Sequence, residues 1–518
     1  MFKNTIFNVN FSFKLNLYHA MDLIKEIILT LSDPDKKEFE QFLSRKRPGT
    51  MRKDVEVFRK LFTSYNGSLN NKNNLVGDQN YHAIRKRIAK ALTNFVILKK
   101  SISEQKENKR DGMILMISYF IERKKFQAAW DLLIKEERNA EKSNNVDLNL
   151  KIQRLKLKIL PYLNQELFPG IKTKILDLQN KQAKLDQFQL YFIQIKNDLK
   201  LKIAEGSVES PTQIIKGALA QYKNIKAEYK NPNIHLKVIE MIRAEYIVNR
   251  KFKVFAEVVQ KYYNEFSKDA IDDNAQINTY AQIEYIMSYT FLNTRNFKKS
   301  LYHLAKLEEL MSRSEMVNLN FRGKRMAISS FIQVFDYKIE QAIAQTEFFL
   351  ENEINKITIQ ENLNLSLNLS GYYIIVGDYS RSIRILNFMS DSDKYYQKEM
   401  GREWLIRKEM ILAIVQTSIG NTEYSIKIMN GIESKHKEML DVDQYGMVRH
   451  FISAIRTYIK NPYEADQKIL SEFEKKINLR KERVFRDPRL IIFYAWMRSR
   501  YAKKDAYEIL MEEYKGIE

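Results

Sequence analysis

Apolar residues return every third or fourth position through most of this chain, the spacing of one helical face turned toward a core. From Met21 the run MDLIKEIILTL keeps that period. So do DKKEFEQFL behind a Ser32 cap, RKDVEVFRKLFTSY up to the stop at Asn66-Gly67, and NYHAIRKRIAKALTNFVILKK. These runs predict a small N-terminal helical module over residues 21 to 105. Residues 1 to 20 are too irregular to join it and read as a poorly ordered extension, or as lying upstream of the true start. Residues 106 to 250 read as irregular helical hairpins. Within them Ile171, Ile175, Leu178, Leu185, Phe192, Ile195 and Leu199 are spaced for one helix of about thirty residues, bounded by Pro161, Pro169 and the stretch from Gly206 to Pro211. That helix serves either as one rod of a larger stack or as the seam of a homodimer. No segment alternates convincingly with the period of a strand.

Beyond residue 250 the turns carry the clearest signal. In GDYSRSIRIL, Gly377 ends one helix, Asp378 caps the next, and Ser382 and Leu386 fall four apart on its buried face. A small residue there lets two helices approach closely, and the large one fills the groove beside it. The same order recurs with Phe126, Ala129 and Leu133; Phe297, Ser300 and Leu304; Gly420, Ser425 and Met429; Tyr463, Ala465 and Ile469; and finally Ala506 and Leu510. From Phe255 through Ser300, Ala342, Ser382, Ser425, Ala465 and Ala506 the steps are roughly 40 to 45 residues. Units of that size are paired helices, none of which can bury its apolar face alone.

On these residues the chain resembles the tetratricopeptide-repeat family over residues 112 to 518, most regularly from Phe252. The resemblance implies an all-α fold: a right-handed superhelix of stacked hairpins over residues 251 to 518. The step exceeds that family's usual repeat of about 34 residues by roughly two helical turns, and the closing proline is missing; HEAT repeats share the longer step and stay open as an alternative. The stretches LSDPDKKEFEQFLSRKRPG, QNYHAIRKRIAKALTNFV and LDQFQLYFIQIKNDLKL also resemble segments of a broad group of uncharacterised bacterial helical proteins, which implies architecture and no activity.

Composition narrows the chemistry. There is no cysteine, which removes disulfides, thiolate metal sites and thiol nucleophiles, and a reducing cytoplasm is the simplest home. No window suits a membrane span, so no membrane insertion is expected. Six histidines, at 19, 82, 235, 303, 436 and 450, form no metal-binding spacing, and no glycine-rich phosphate loop opens a helix. Asp441 and Asp443 with Gly446 start like a calcium loop, but Tyr445 and Ile452 stand where oxygen ligands belong. We therefore expect no enzyme, no cofactor and no metal.

The formal charge of +22 leaves two readings. The first is an interaction scaffold whose first helices line a groove for a peptide or a helix of another protein. The groove candidates are Tyr285, Tyr289 and Asn293; Asn364, Asn368 and Ile375; and Arg407 with Ile414. Whether the chain's own terminus fills that groove stays open. The second is nucleic-acid binding through the N-terminal module, where Arg45, Lys46, Arg47, Arg52 and Lys53 precede Arg85, Lys86, Arg87 and Lys90, with the repeats as sensor or dimeriser. There, Ile84, Ile88, Leu92 and Phe95 define the buried stripe and leave the cations outside it.

Overall fold

Few glycines and prolines interrupt the helical periods, and the described residues accordingly form helices with no strand. The structure, a computed structural model, describes residues 24, 27–28, 31, 33–44, 53–66, 81–102, 106–143, 145–163, 165–205, 215–217, 219–220, 222, 232–248, 252–266, 277–441, 446–460, 471, 475, 488–502 and 504–515. The extension over residues 1 to 20, the cations Arg45, Lys46, Arg47 and Arg52, the acidic turn at Asp443 and the repeat copy at Tyr463 to Ile469 lie outside them.

Two compact units divide the chain, Met1–Leu133 and Ile134–Glu518. The first holds α1 (Asp33–Ser44), α2 (Lys53–Asn66), α3 (Tyr81–Ile102) and α4 (Lys106–Glu122). Phe39, Phe58, Ile84, Ile88, Leu92 and Phe95 meet in its core, with the Phe39 ring edge-on to Phe58 at 4.8 Å and to Phe95 at 5.4 Å. The division falls inside α5 (Phe126–Lys142).

The second unit continues with α6 (Val146–Ile159) and α7 (Phe168–Glu205), a helix of 38 residues with Pro169 in its first turn, where a missing N–H costs nothing. Helical pairs follow: α8 (Pro232–Val248) with α9 (Phe252–Phe266), α10 (Ile277–Asn293) with α11 (Phe297–Arg313), α12 (Glu315–Phe335) with α13 (Ile339–Glu353), and α14 (Ile359–Ile375) with α15 (Tyr379–Phe388). After α16 (Asp393–Met400) come α17 (Arg402–Ser418) with α18 (Thr422–Lys435), then α19 (Gly446–Lys460), α20 (Pro488–Ala502) and α21 (Ala506–Lys515).

The tight turns share one geometry. A single residue takes a left-handed conformation, and the next residue's N–H reaches back to the carbonyl five positions earlier, over 2.8 to 3.0 Å. The left-handed residue is Lys124, Arg295, Tyr337, Gly377 or Gly420. Just beyond, Asn296 and Asp378 each accept a hydrogen bond from the backbone N–H three residues on, at 3.1 and 3.0 Å.

Within each pair the helices cross at small buried residues. Ser300 Oγ donates to the Ser288 carbonyl at 2.8 Å, Ser382 Oγ lies 2.7 Å from Ser370 Oγ, and Ser425 Oγ donates to the Ala413 carbonyl at 2.9 Å. All three serines are sealed from solvent, so these bonds also satisfy hydroxyls that water cannot reach. First helices pack on first helices of neighbouring pairs, α8 on α10, α10 on α12 and α12 on α14. The result is asymmetric burial. Helix α14 buries Leu363, Leu365, Leu367 and every residue from Leu369 to Ile375, whereas α15 buries only Ser382 and Leu386.

The last pair does not simply extend the stack. Helices α20 and α21 fold back across the turn ends of earlier pairs. Trp496 Nε1 donates to Ser418 Oγ at 3.2 Å, Arg500 bonds the Tyr379 hydroxyl, Tyr507 donates to the Val334 carbonyl at 2.8 Å, and the Tyr514 ring stacks on Phe297 at 5.4 Å. Ile492 meanwhile packs against α14 beside Gly371. In a strictly linear array each repeat touches only its neighbours; here a terminal pair ties four of them together.

Candidate functional site

Successive turns of α10 place Tyr285 and Tyr289 on one face, their rings 6.1 Å apart and tilted by 35°. Neighbouring first helices surround them. Arg243 of α8 stands 5.7 Å from the Tyr285 ring and 5.1 Å from that of Tyr289, and Lys324 of α12 lies 5.6 Å from Tyr285 on a ring that also meets Phe321 at 5.9 Å. Two cations thus face one half-buried aromatic pair.

The surroundings are poor in water. Burial pushes the Glu240 carboxyl up from its ordinary value, against the pull of Lys196 and Arg243. Burial also pushes the Lys324 ammonium down, with Glu361 opposing, and raises the Tyr285 phenol against Arg243. Charges held this way interact strongly with whatever approaches them. The cations Arg243, Lys324, Lys196 and Lys237 outnumber the carboxylates Glu240 and Glu361 that share their field. Arg243 Nε is buried with no hydrogen-bond partner.

Gly323 sets how closely α12 and α14 approach. A Cβ there would come 3.0 Å from the Glu361 side chain, which caps α14 by accepting from the Thr358 N–H at 3.0 Å. Farther along α14, Asn364 and Asn368 are half-buried.

Comparison with protein-family models, with curated proteins and with solved structures gave no match. Tyr285 and Tyr289 are half-buried on α10, and Asn364 and Asn368 are half-buried on α14. Ile375 and Ile414 are not open to a partner: each is 1% exposed, in the core to which α20 contributes Ile491 to Met497. Asn293 is buried and spends its amide on the Tyr289 carbonyl at 2.7 Å, capping α10 from within. Arg407 is half-buried on α17. Spacing along α10 brings the two tyrosines onto one face, but Arg243 and Lys324 belong to other helices.

On another face of α10, Glu284 accepts from Tyr263 at 2.7 Å and meets His303 Nδ1 at 2.7 Å, while Lys306 donates to Tyr263 at 2.9 Å. This buried tie joins α9, α10 and α11. Burial, then the Glu284 charge, push the Tyr263 phenol up to about 12. Among the described residues no group of three His, Cys, Asp or Glu could hold a metal ion, and no helix is long and apolar enough to cross a membrane.

In the first unit the four basic candidates part company. Arg87 forms an ion pair with Asp54 at 3.0 Å and ties α3 to α2, and Arg85 donates to Tyr81 at 3.4 Å. Lys86 and Lys90 stay exposed one turn apart.

Proposed function

We propose that this chain is a non-enzymatic interaction scaffold, a tetratricopeptide-like superhelix that binds a peptide or a helix of another protein along the first helices α8, α10, α12 and the leading half of α14. The observation that carries this reading is the Tyr285–Tyr289 pair flanked by Arg243 and Lys324 with cations in excess. Aromatic rings offer area at little entropic cost, half-buried cations select acidic side chains, and the Asn364 and Asn368 amides suit main-chain groups that both donate and accept. A cytoplasmic setting fits the absence of cysteine.

The test is peptide selection by phage display on the full chain, followed by fluorescence anisotropy with the selected peptide. Arg243→Gln with Lys324→Met should weaken binding by about tenfold or more while leaving the helical circular dichroism unchanged. Unchanged affinity in the double variant ends the reading.

A second reading, nucleic-acid binding by the first unit, draws on one observation: α3 carries no acidic residue in its 22 positions and exposes Lys86 and Lys90. It requires affinity for duplex DNA that falls steeply with salt and drops in Lys86→Ala/Lys90→Ala. A flat salt series removes it.

A further inference from the structure

A cleft of about 550 Å³ opens where α11, α12 and α13 meet, on side chains unrelated to the aromatic pair of α10. Met311, Met326 and Phe349 contribute apolar surface, Phe348 stands at the rim 69% exposed, and Arg322 and Glu353 supply the charge. The volume falls in the range of roughly 300–1,000 Å³ that small-molecule sites occupy, and an apolar lining with few polar groups is their usual make-up.

The charges do not balance. Arg322 bonds Glu353 through Nη1, but Lys356 reaches the same carboxylate at 3.1 Å, so two cations share one anion. Arg325, the other guanidinium on the cleft, has its own partner in Glu308 at 3.0 Å. Arg322 is largely enclosed, at 14% side-chain exposure, and its Nε is buried with no hydrogen-bond partner. One unit of positive charge in excess, shared by Arg322 and the exposed Lys356, therefore sits at the edge of an apolar floor. Methionine side chains adapt to irregular apolar shapes, and an exposed phenylalanine gains by being covered.

We propose that this cleft binds a small apolar monocarboxylate, its chain or ring against Met311, Met326 and Phe348 and its carboxylate on Arg322. Charge complementarity selects the anion over a neutral analogue, since a charge-assisted bond to a guanidinium is roughly twice as strong as a neutral one.

Isothermal titration calorimetry of the full chain with octanoate, octan-1-ol and octylammonium tests this. Octanoate should bind saturably at one site, about tenfold or more tighter than octan-1-ol, with octylammonium weakest. Arg322→Gln should bring octanoate down to the alcohol's affinity. Ala344→Trp, which fills the cleft from an exposed position and spares the core, should abolish binding of both. Each variant's thermal melt confirms that it folds. Equal affinity for acid and alcohol, full affinity in Ala344→Trp, or no saturable binding of octanoate below its micellar concentration overturns the proposal.

Discussion

At Gly377 the backbone is left-handed, with φ of 79°, and no atom lies within 4 Å of the place a Cβ would take. Gly420 is the same at φ of 85°. Alanine at either position therefore meets no clash, and its whole effect is the torsional cost of the turn. An L-residue held left-handed costs about 1–2 kcal/mol. Against that, alanine restricts the unfolded chain and recovers about 0.4–1 kcal/mol. The net expectation for Gly377→Ala is a loss of about 1 kcal/mol, and Gly377→Asn should cost less because asparagine tolerates this region. The converse holds at Lys124, left-handed and exposed, where glycine should stabilise by a few tenths of a kcal/mol up to about 1 kcal/mol. Hydrogen–deuterium exchange of peptides spanning the α14–α15 turn reads this locally, about 1.4 kcal/mol corresponding to a tenfold change in protection. Alanine and asparagine costing the same at residue 377, or Lys124→Gly destabilising, would refute the torsional argument.

Other expectations follow from the contacts. Ser382→Ala removes the partner of the buried Ser370 hydroxyl and should cost about 1–2 kcal/mol, whereas Ser370→Ala/Ser382→Ala should cost less than the sum of the singles; urea melts of the cycle decide it. Tyr507→Phe deletes the bond to the Val334 carbonyl and should speed exchange around residues 334 to 338, with a loss of about 1 kcal/mol. Two glutamates should shape the pH dependence with opposite signs. At Glu137 burial pushes the carboxyl up, but hydrogen bonds from Lys156 and Lys174 outweigh it, so its folded pKa lies below the unfolded one. Its contribution is present above the unfolded carboxyl range and is lost as pH falls through the depressed value, and Glu137→Gln should flatten the acid side of a stability profile. Glu240 is raised by burial, so its contribution is full below the unfolded range and lost as pH rises through the raised value; Glu240→Gln should stabilise at neutral pH.

Local periodicity carried much of the fold, because the signals it uses are local. Ile84, Ile88, Leu92 and Phe95 are buried as their spacing requires, and Ser300, Ser382 and Ser425 lie sealed at helix crossings. Less legible were turns without glycine: Arg295 and Tyr337 take the same left-handed geometry as Gly377 with no glycine to mark it. The fold-back of α20 and α21 was not legible at all. Tyr507 and Val334 are 173 positions apart, and no spacing rule links residues at that range. The misplacement of Ile375 and Ile414 follows from this. Spacing alone places both on an open face, because the helix that packs on α14 there arrives from the far terminus.

Under the proposed function, that cover also sets the length of a partner. Neighbouring first helices pack about 8–10 Å apart, so the three steps from α8 to α14 span roughly 24–30 Å. An extended chain advances about 3.3–3.6 Å per residue, which fits about seven to nine residues before α20 blocks the way. Affinity gained residue by residue along this face should level off at that length. Under the proposed function, recognition is then of a short segment whose acidic side chains meet Arg243 and Lys324, rather than of a long helix along the full stack. The same back-folded pair also ties four hairpins to one another, so under the proposed function binding spends less on ordering the receptor.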